Sequence, residues 1–174
     1  MNLYFIRHTS VRVDKGVCYG QFDVELNPTF IEEATIVKKN VDQIPIDYVY
    51  SSPLSRCHKL ARFVTQQNIE LEDDIKELNF GEWEMKRWED VDSVAWGNDW
   101  VNTQVPGGES FKMMYNRVKQ FIEGLKKHST THKNIAIFTH GGVCACAMVY
   151  FENLLLENAF DKKVNYGDII HYTL

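Results

Sequence analysis

No apolar run in the 174-residue chain is long enough to span a bilayer as a helix, which leaves no membrane-embedded segment to read. The segment Met1 to Ile6 is too short for the apolar region of a secretory leader and runs straight into Arg7-His8. Cysteine is scarce, and Cys18, Cys57, Cys144 and Cys146 form no Cys-x-x-Cys pair. A cytoplasmic protein with reduced thiols is therefore expected. An excess of positive charge is missing too: 19 Lys and Arg stand against 24 Asp and Glu, a formal net charge of -5. That balance argues against nucleic acid as the main partner, so an anionic ligand would have to be drawn by a local cluster of cations. Repeats, low-complexity tracts and linker-like stretches are absent as well. With 44% hydrophobic and 25% charged residues, the chain reads as one globular domain spanning residues 1–174.

What is present is a pair of short apolar runs that each stop at a histidine. Leu3-Tyr4-Phe5-Ile6 ends in Arg7-His8-Thr9, and Ile135-Ala136-Ile137-Phe138-Thr139 ends in His140-Gly141-Gly142. In an open α/β sheet ligands sit beyond the carboxyl ends of the strands, so both histidines are placed to meet one. Arginine offers a fixed fork of donors suited to phosphate, and histidine attacks or moves protons near neutral pH. Ile46–Tyr50 reads as a further strand, leading through Ser51-Ser52-Pro53 into a helix whose first turn carries Arg56. A cation at that helix end is unfavourable with the dipole and is easier to understand beside a bound anion. Gly141-Gly142 lets the amides of the next helix approach the same anion.

Between these points the pattern alternates strands and helices. Asn27-Pro28 predicts a helix start, with Phe30, Ala34, Val37 and Val41 on one face until Pro45. Ile75–Asn79 is expected as a strand that breaks at Gly81. Phe111, Met114, Tyr115, Val118, Phe121, Ile122 and Leu125 trace the core face of a long helix, and the helix after His140 is expected to run to about Leu156. Ile169–Leu174 is the last strand. The class is α/β, with residues 9–26 and 82–110 as covering loops. Trp88, Trp96 and Trp100 in the second cover are equally a satellite core or a wall for a flat ligand. Cys144 and Cys146 near His140 are read as buried helix packing, with no metal and no cofactor expected.

Arg7, His8, Arg56, Glu77 and His140 gathered at strand ends suit a dianionic phosphoryl group. With no metal-ligand set visible, arginines would neutralise its charge. A neutral imidazole can attack phosphorus and form a phosphohistidine, and one carboxyl group can give and then take the proton.

Arg7-His8-Thr9, Ser51-Ser52-Pro53-Leu54-Ser55-Arg56, Glu77-Leu78-Asn79-Phe80-Gly81-Glu82-Trp83-Glu84 and Thr139-His140-Gly141-Gly142 resemble the histidine phosphatase (phosphoglycerate-mutase-like) superfamily. The resemblance covers nearly the whole chain and implies a three-layer sandwich, a mostly parallel central sheet flanked by helices. It makes His8 the nucleophile and Glu77 the proton donor and acceptor, with Glu82 and Glu84 ranked behind it. Arg7, Arg56 and His140 would hold the phosphoryl group, and Thr9, Gln21, Trp83 and Gly141 would join them against substrate. Gly16-Val17-Cys18-Tyr19-Gly20-Gln21 and Pro106-Gly107-Gly108-Glu109-Ser110 are similar to α-ribazole phosphatases, which act in assembling the nucleotide loop of cobalamin. That likeness implies hydrolysis of a small-molecule phosphate ester, α-ribazole 5′-phosphate. Thr9 replaces the usual Gly, Val11 and Asp14 stand where mutases carry hydroxyl and amide residues, and Met85 stands where Gly commonly follows Trp-Glu. The alternatives are a broad sugar-phosphate or nucleotide phosphatase, a phosphoglycerate mutase, a phosphohistidine protein phosphatase, or a non-catalytic phosphate-binding regulator.

Overall fold

The computed structural model describes residues 1–128 and 133–174. Among these residues five strands form one sheet in the order β3-β2-β4-β1-β5. They are β1 Asn2–Arg7, β2 Tyr48–Ser51, β3 Ile69–Leu71, β4 Asn134–Thr139 and β5 Ile169–Thr173. The first four run parallel and β5 is antiparallel to β1. The helices are α1 Phe30–Val41, α2 Ser55–Val64, the short α3 Val94–Asn98, α4 Phe111–Leu125 and α5 Gly141–Glu152.

Strand alternation divides the core into two layers. Leu3, Phe5, Ile135 and Ile137 pack against α4 and α5, while Ile6, Ala136 and Phe138 pack against α1 and α2. Because β1 and β4 are covered on both faces, their sequences are nearly continuous apolar runs. The result is a mostly parallel α/β sheet sandwiched between helices, as expected. Among the described residues no helix is long and apolar enough to cross a membrane.

Three local expectations need correction, and one strand is added. α1 begins at Phe30 and not at Pro28, because the Asn27 carbonyl closes a turn on the Phe30 amide at 2.9 Å. Ser10 and Thr29 both donate to Glu33, which ties the helix start to the loop after β1. Ile75–Asn79 is not a strand: Asp73–Ile75 is a 3₁₀ turn followed by extended chain. Arg117 takes the Asp74, Lys76 and Glu77 carbonyls, Thr139 Oγ1 that of Ile75 and the Glu109 amide that of Asn79, which removes the need for a neighbouring strand. α5 stops at Glu152, four residues early, where Asn153 turns left-handed at φ 53° and caps it. The three-residue edge strand β3 was not anticipated, being too short to show a period.

Candidate active site

The register that sets Arg7 opposite Thr139 brings the next residues, His8 and His140, to adjacent strand ends. Their rings lie 5.2 Å apart, edge to face, and both are buried. His8 Nδ1 is 2.7 Å from the Thr9 carbonyl, an atom that can only accept. Nδ1 therefore carries the proton, and Nε2 keeps a lone pair. Burial, reinforced by the charges of Arg56 and Arg7, holds the His8 pKa well below its usual value. His140 is lowered for the same reasons, burial first and then Arg56. Its Nδ1 accepts from Arg56 Nε at 3.3 Å, so Nε2 donates to Ser52 Oγ at 2.8 Å.

Arg56 is fully buried although it sits in the first turn of α2. Its terminal nitrogens donate to the Phe22 and Gly20 carbonyls at 2.9 and 2.6 Å, which draws the 9–26 loop over the site. Arg7 donates to the Val164 carbonyl at 2.6 Å and lies 4.1 Å over the Tyr166 ring. The Tyr166 hydroxyl meets that of Tyr19, whose ring lies 5.4 Å from Arg56. Among the described residues neither arginine is ion-paired with a carboxylate. Arg7 Nε and Thr9 Oγ1 are buried and make no hydrogen bond among them either. Two guanidinium charges beside two neutral imidazoles are thus available to an anion.

The glycine pair opening α5 has a separate steric duty at each position. A Cβ on Gly141 would lie 3.1 Å from Arg7 Cζ, and one on Gly142 would overlap the Glu77 carboxylate. Glu77 reaches α5 directly, Oε2 accepting from the Gly142 amide at 3.1 Å and Oε1 from the Leu78 amide at 2.9 Å. Glu84 is instead a structural acceptor for the Gln21 and Phe80 amides. Glu82 is exposed.

Beyond Glu77 opens a cavity of about 490 Å³. Arg7, Glu77 and Gly142 line one side, and Trp96, Trp100 and Phe160 are among its aromatic walls. Trp83 is not on this lining; it packs with Cys18 and Val105 in a satellite core. Gln21 also lies off it, its side chain donating to the Glu77 carbonyl at 2.9 Å.

The histidine phosphatase superfamily (branch 1) model matches residues 3–174. The chain belongs to that superfamily. The relatives it matches are named phosphatases, and this chain is a phosphatase too. The adenosylcobalamin/α-ribazole phosphatase of Escherichia coli (strain K12) is 28% identical, over 96% of this chain and 87% of that protein. Phosphoserine phosphatase 1 of Hydrogenobacter thermophilus is 27% identical, over 80% of this chain and 71% of its own. The crystal structure of the α-ribazole phosphatase from Shigella flexneri superposes with a TM-score of 0.90 at 28% identity, over 98% and 89% of the two chains.

Several contacts of this histidine phosphatase had no signal in its sequence. Ser52 lies inside a noted motif, but only the fold reveals that it orients His140. Tyr166 reaches Arg7 from just before the last strand. Cys57, on the first turn of α2, is the thiol nearest His140, its Sγ 3.4 Å from Nε2. Cys144 and Cys146, buried like Cys57, lie in the layer between α4, α5 and the sheet, and burial pushes the Cys144 thiol up to about 12.

Proposed function

We propose that the protein hydrolyses α-ribazole 5′-phosphate to α-ribazole in the cytoplasm, through a phosphohistidine on His8. The lone pair on Nε2 attacks phosphorus, the N–P bond forms, and the P–O bond to the ribosyl oxygen breaks. Glu77, as the acid, gives a proton to the departing alkoxide. A water then loses a proton to the Glu77 carboxylate and attacks phosphorus, and cleavage of the N–P bond releases phosphate and free imidazole. Arg7, Arg56, His140 and the Gly141 end of α5 hold the phosphoryl oxygens, with no metal in the scheme.

The observation that carries the choice of substrate is the aromatic cavity joining Arg7 and Glu77. A leaving group with a flat benzimidazole base would fill it, whereas a serine or a bare ribose would leave most of it to water. Burying a ring of that size contributes about 3 kcal/mol, or about 10²-fold in kcat/KM. The α-ribazole phosphatase relatives support the same reading. A second reading, phosphoserine, draws on the other relative and on Lys162 and Lys163, which also line the cavity and would suit a carboxylate.

Steady-state kcat/KM on α-ribazole 5′-phosphate, ribose 5-phosphate and phosphoserine separates these. The expected result is a preference for the ribazole ester over ribose 5-phosphate of about 10²-fold. Comparable values for the first two would leave a broad phosphatase, and a preference for phosphoserine would favour the second reading.

A further inference from the structure

The segment that delivers Glu77 has no strand partner, so something else must fix its height over the site. Arg117, on α4, does this with its whole donor set. Nη1 donates to the Asp74 and Lys76 carbonyls at 2.8 and 2.7 Å, and Nη2 to the Glu77 carbonyl at 2.9 Å. The remaining Nη2 and Nε donors make a two-point contact with Glu109, at 3.0 and 2.9 Å. A guanidinium has five N–H groups, and all five are used here. Glu109 completes the clamp by accepting from the Asn79 amide at 3.0 Å, while its own amide donates to the Asn79 carbonyl at 2.8 Å. Both side chains are largely buried. The pair therefore holds the chain on each side of Glu77 while lying outside the cavity lining.

We propose that Arg117 and Glu109 are positioning residues for proton transfer: they hold the Glu77 backbone so that its carboxyl meets the leaving oxygen. The inference rests on Glu77 being the acid. Neither residue touches the phosphoryl group, so their loss should matter in proportion to how much the leaving group needs a proton. Lysine cannot stand in for arginine, since a single ammonium has three donors and no planar fork.

The test is the slope of log kcat/KM against leaving-group pKa, over alkyl and aryl phosphates, for wild type, Glu77→Gln, Arg117→Met, Arg117→Lys and Glu109→Gln. This parameter reports steps up to phosphorylation of the enzyme, so later hydrolysis does not enter it. Both Arg117 variants should steepen the slope as Glu77→Gln does. They should lose about 10²-fold on alkyl esters, as a misplacement near 1 Å does, yet stay within about threefold on p-nitrophenyl phosphate, whose anion leaves unaided. Glu109→Gln should steepen it less, with a loss of about tenfold on alkyl esters. Thermal unfolding identifies any variant that fails to fold; if Arg117→Met does, Arg117→Lys and Glu109→Gln decide. Loss shared equally by all esters, or no loss, with Glu77→Gln still steepening the slope, overturns the positioning role and leaves the acid assignment standing. A slope unchanged by Glu77→Gln overturns both.

Discussion

The two ends of the site are built on opposite terms. At the phosphoryl end Arg56 and His140 are completely buried, and their partners are backbone carbonyls, each other, Ser52 and the Cys57 thiol. At the leaving-group end Phe160 is 56% exposed, and the walls come from residues 96–100, α4 and the chain before β5. One end is fixed by sheet register, the other assembled from connecting segments laid over α4 and α5. This division lets one phosphoryl chemistry serve different esters, because loops can change without moving the strand ends.

The largest expected effect should fall on the chemical end. Glu77→Gln keeps the acceptor for the Gly142 amide but removes the transferable proton, and should lower kcat/KM on an alkyl phosphate by about 10²- to 10⁴-fold. Glu82→Gln, on an exposed carboxylate, should change it by less than about twofold, since surface groups away from the chemistry contribute little. Kinetics on both variants check this, and the reverse order would mean that the acid is Glu82.

A smaller change should appear at the other end and for one substrate only. Phe160→Ala strips an aromatic wall packed on Trp100 and Phe111. It should raise KM for α-ribazole 5′-phosphate by about tenfold, equivalent to about 1.4 kcal/mol of apolar contact, and leave p-nitrophenyl phosphate turnover unchanged. Equal losses on both substrates would erase the distinction between the ends.

The smallest effect is on stability, and it belongs to the buried end. His8 and His140 are lowered by burial and neighbouring arginines, so the folded state stays neutral where the unfolded chain, at about 6.5, takes up protons. Above that pH these groups add no pH dependence. Below it the unfolded state binds more protons, and stability falls by up to about 1.4 kcal/mol per pH unit for each histidine until the folded pKa is reached. Denaturant unfolding of wild type and His8→Gln from pH 7 to pH 5 should give a shallower fall for the variant. The same lowered pKa should keep the acid limb of kcat/KM below pH 6.5.

The unequal construction also governs what could be read in advance. β1 and β4 announce themselves because both faces are buried, and the Arg-His and His-Gly-Gly ends follow directly. Two apolar runs ending alike are enough to expect that their histidines meet one ligand, but the pairing of β1 with β4 is a long-range fact that only the fold shows. Glu77 is gathered with the other strand-end residues, but its role as the acid comes from the resemblance. The run from Ile75 reads as a strand, and nothing local announces that a guanidinium on α4 takes carbonyls along it. Trp83 packs in the satellite core, Trp96 rests on that core and also lines the cavity, and Trp100 lines the cavity. Aromatic residues in a polar loop do not declare which way they face. Met85, noted as a departure from glycine, lies at φ 64°, a left-handed conformation that glycine adopts without strain.

The central claim is that His8 carries the phosphoryl group between substrate and water. Rapid quenching of turnover on a ³²P-labelled ester, followed by peptide mapping, tests it. The account predicts one labelled peptide, residue His8, with label stable in alkali, lost in acid, and absent from His8→Ala. Label on another residue, or turnover by His8→Ala near the wild-type rate, would contradict it.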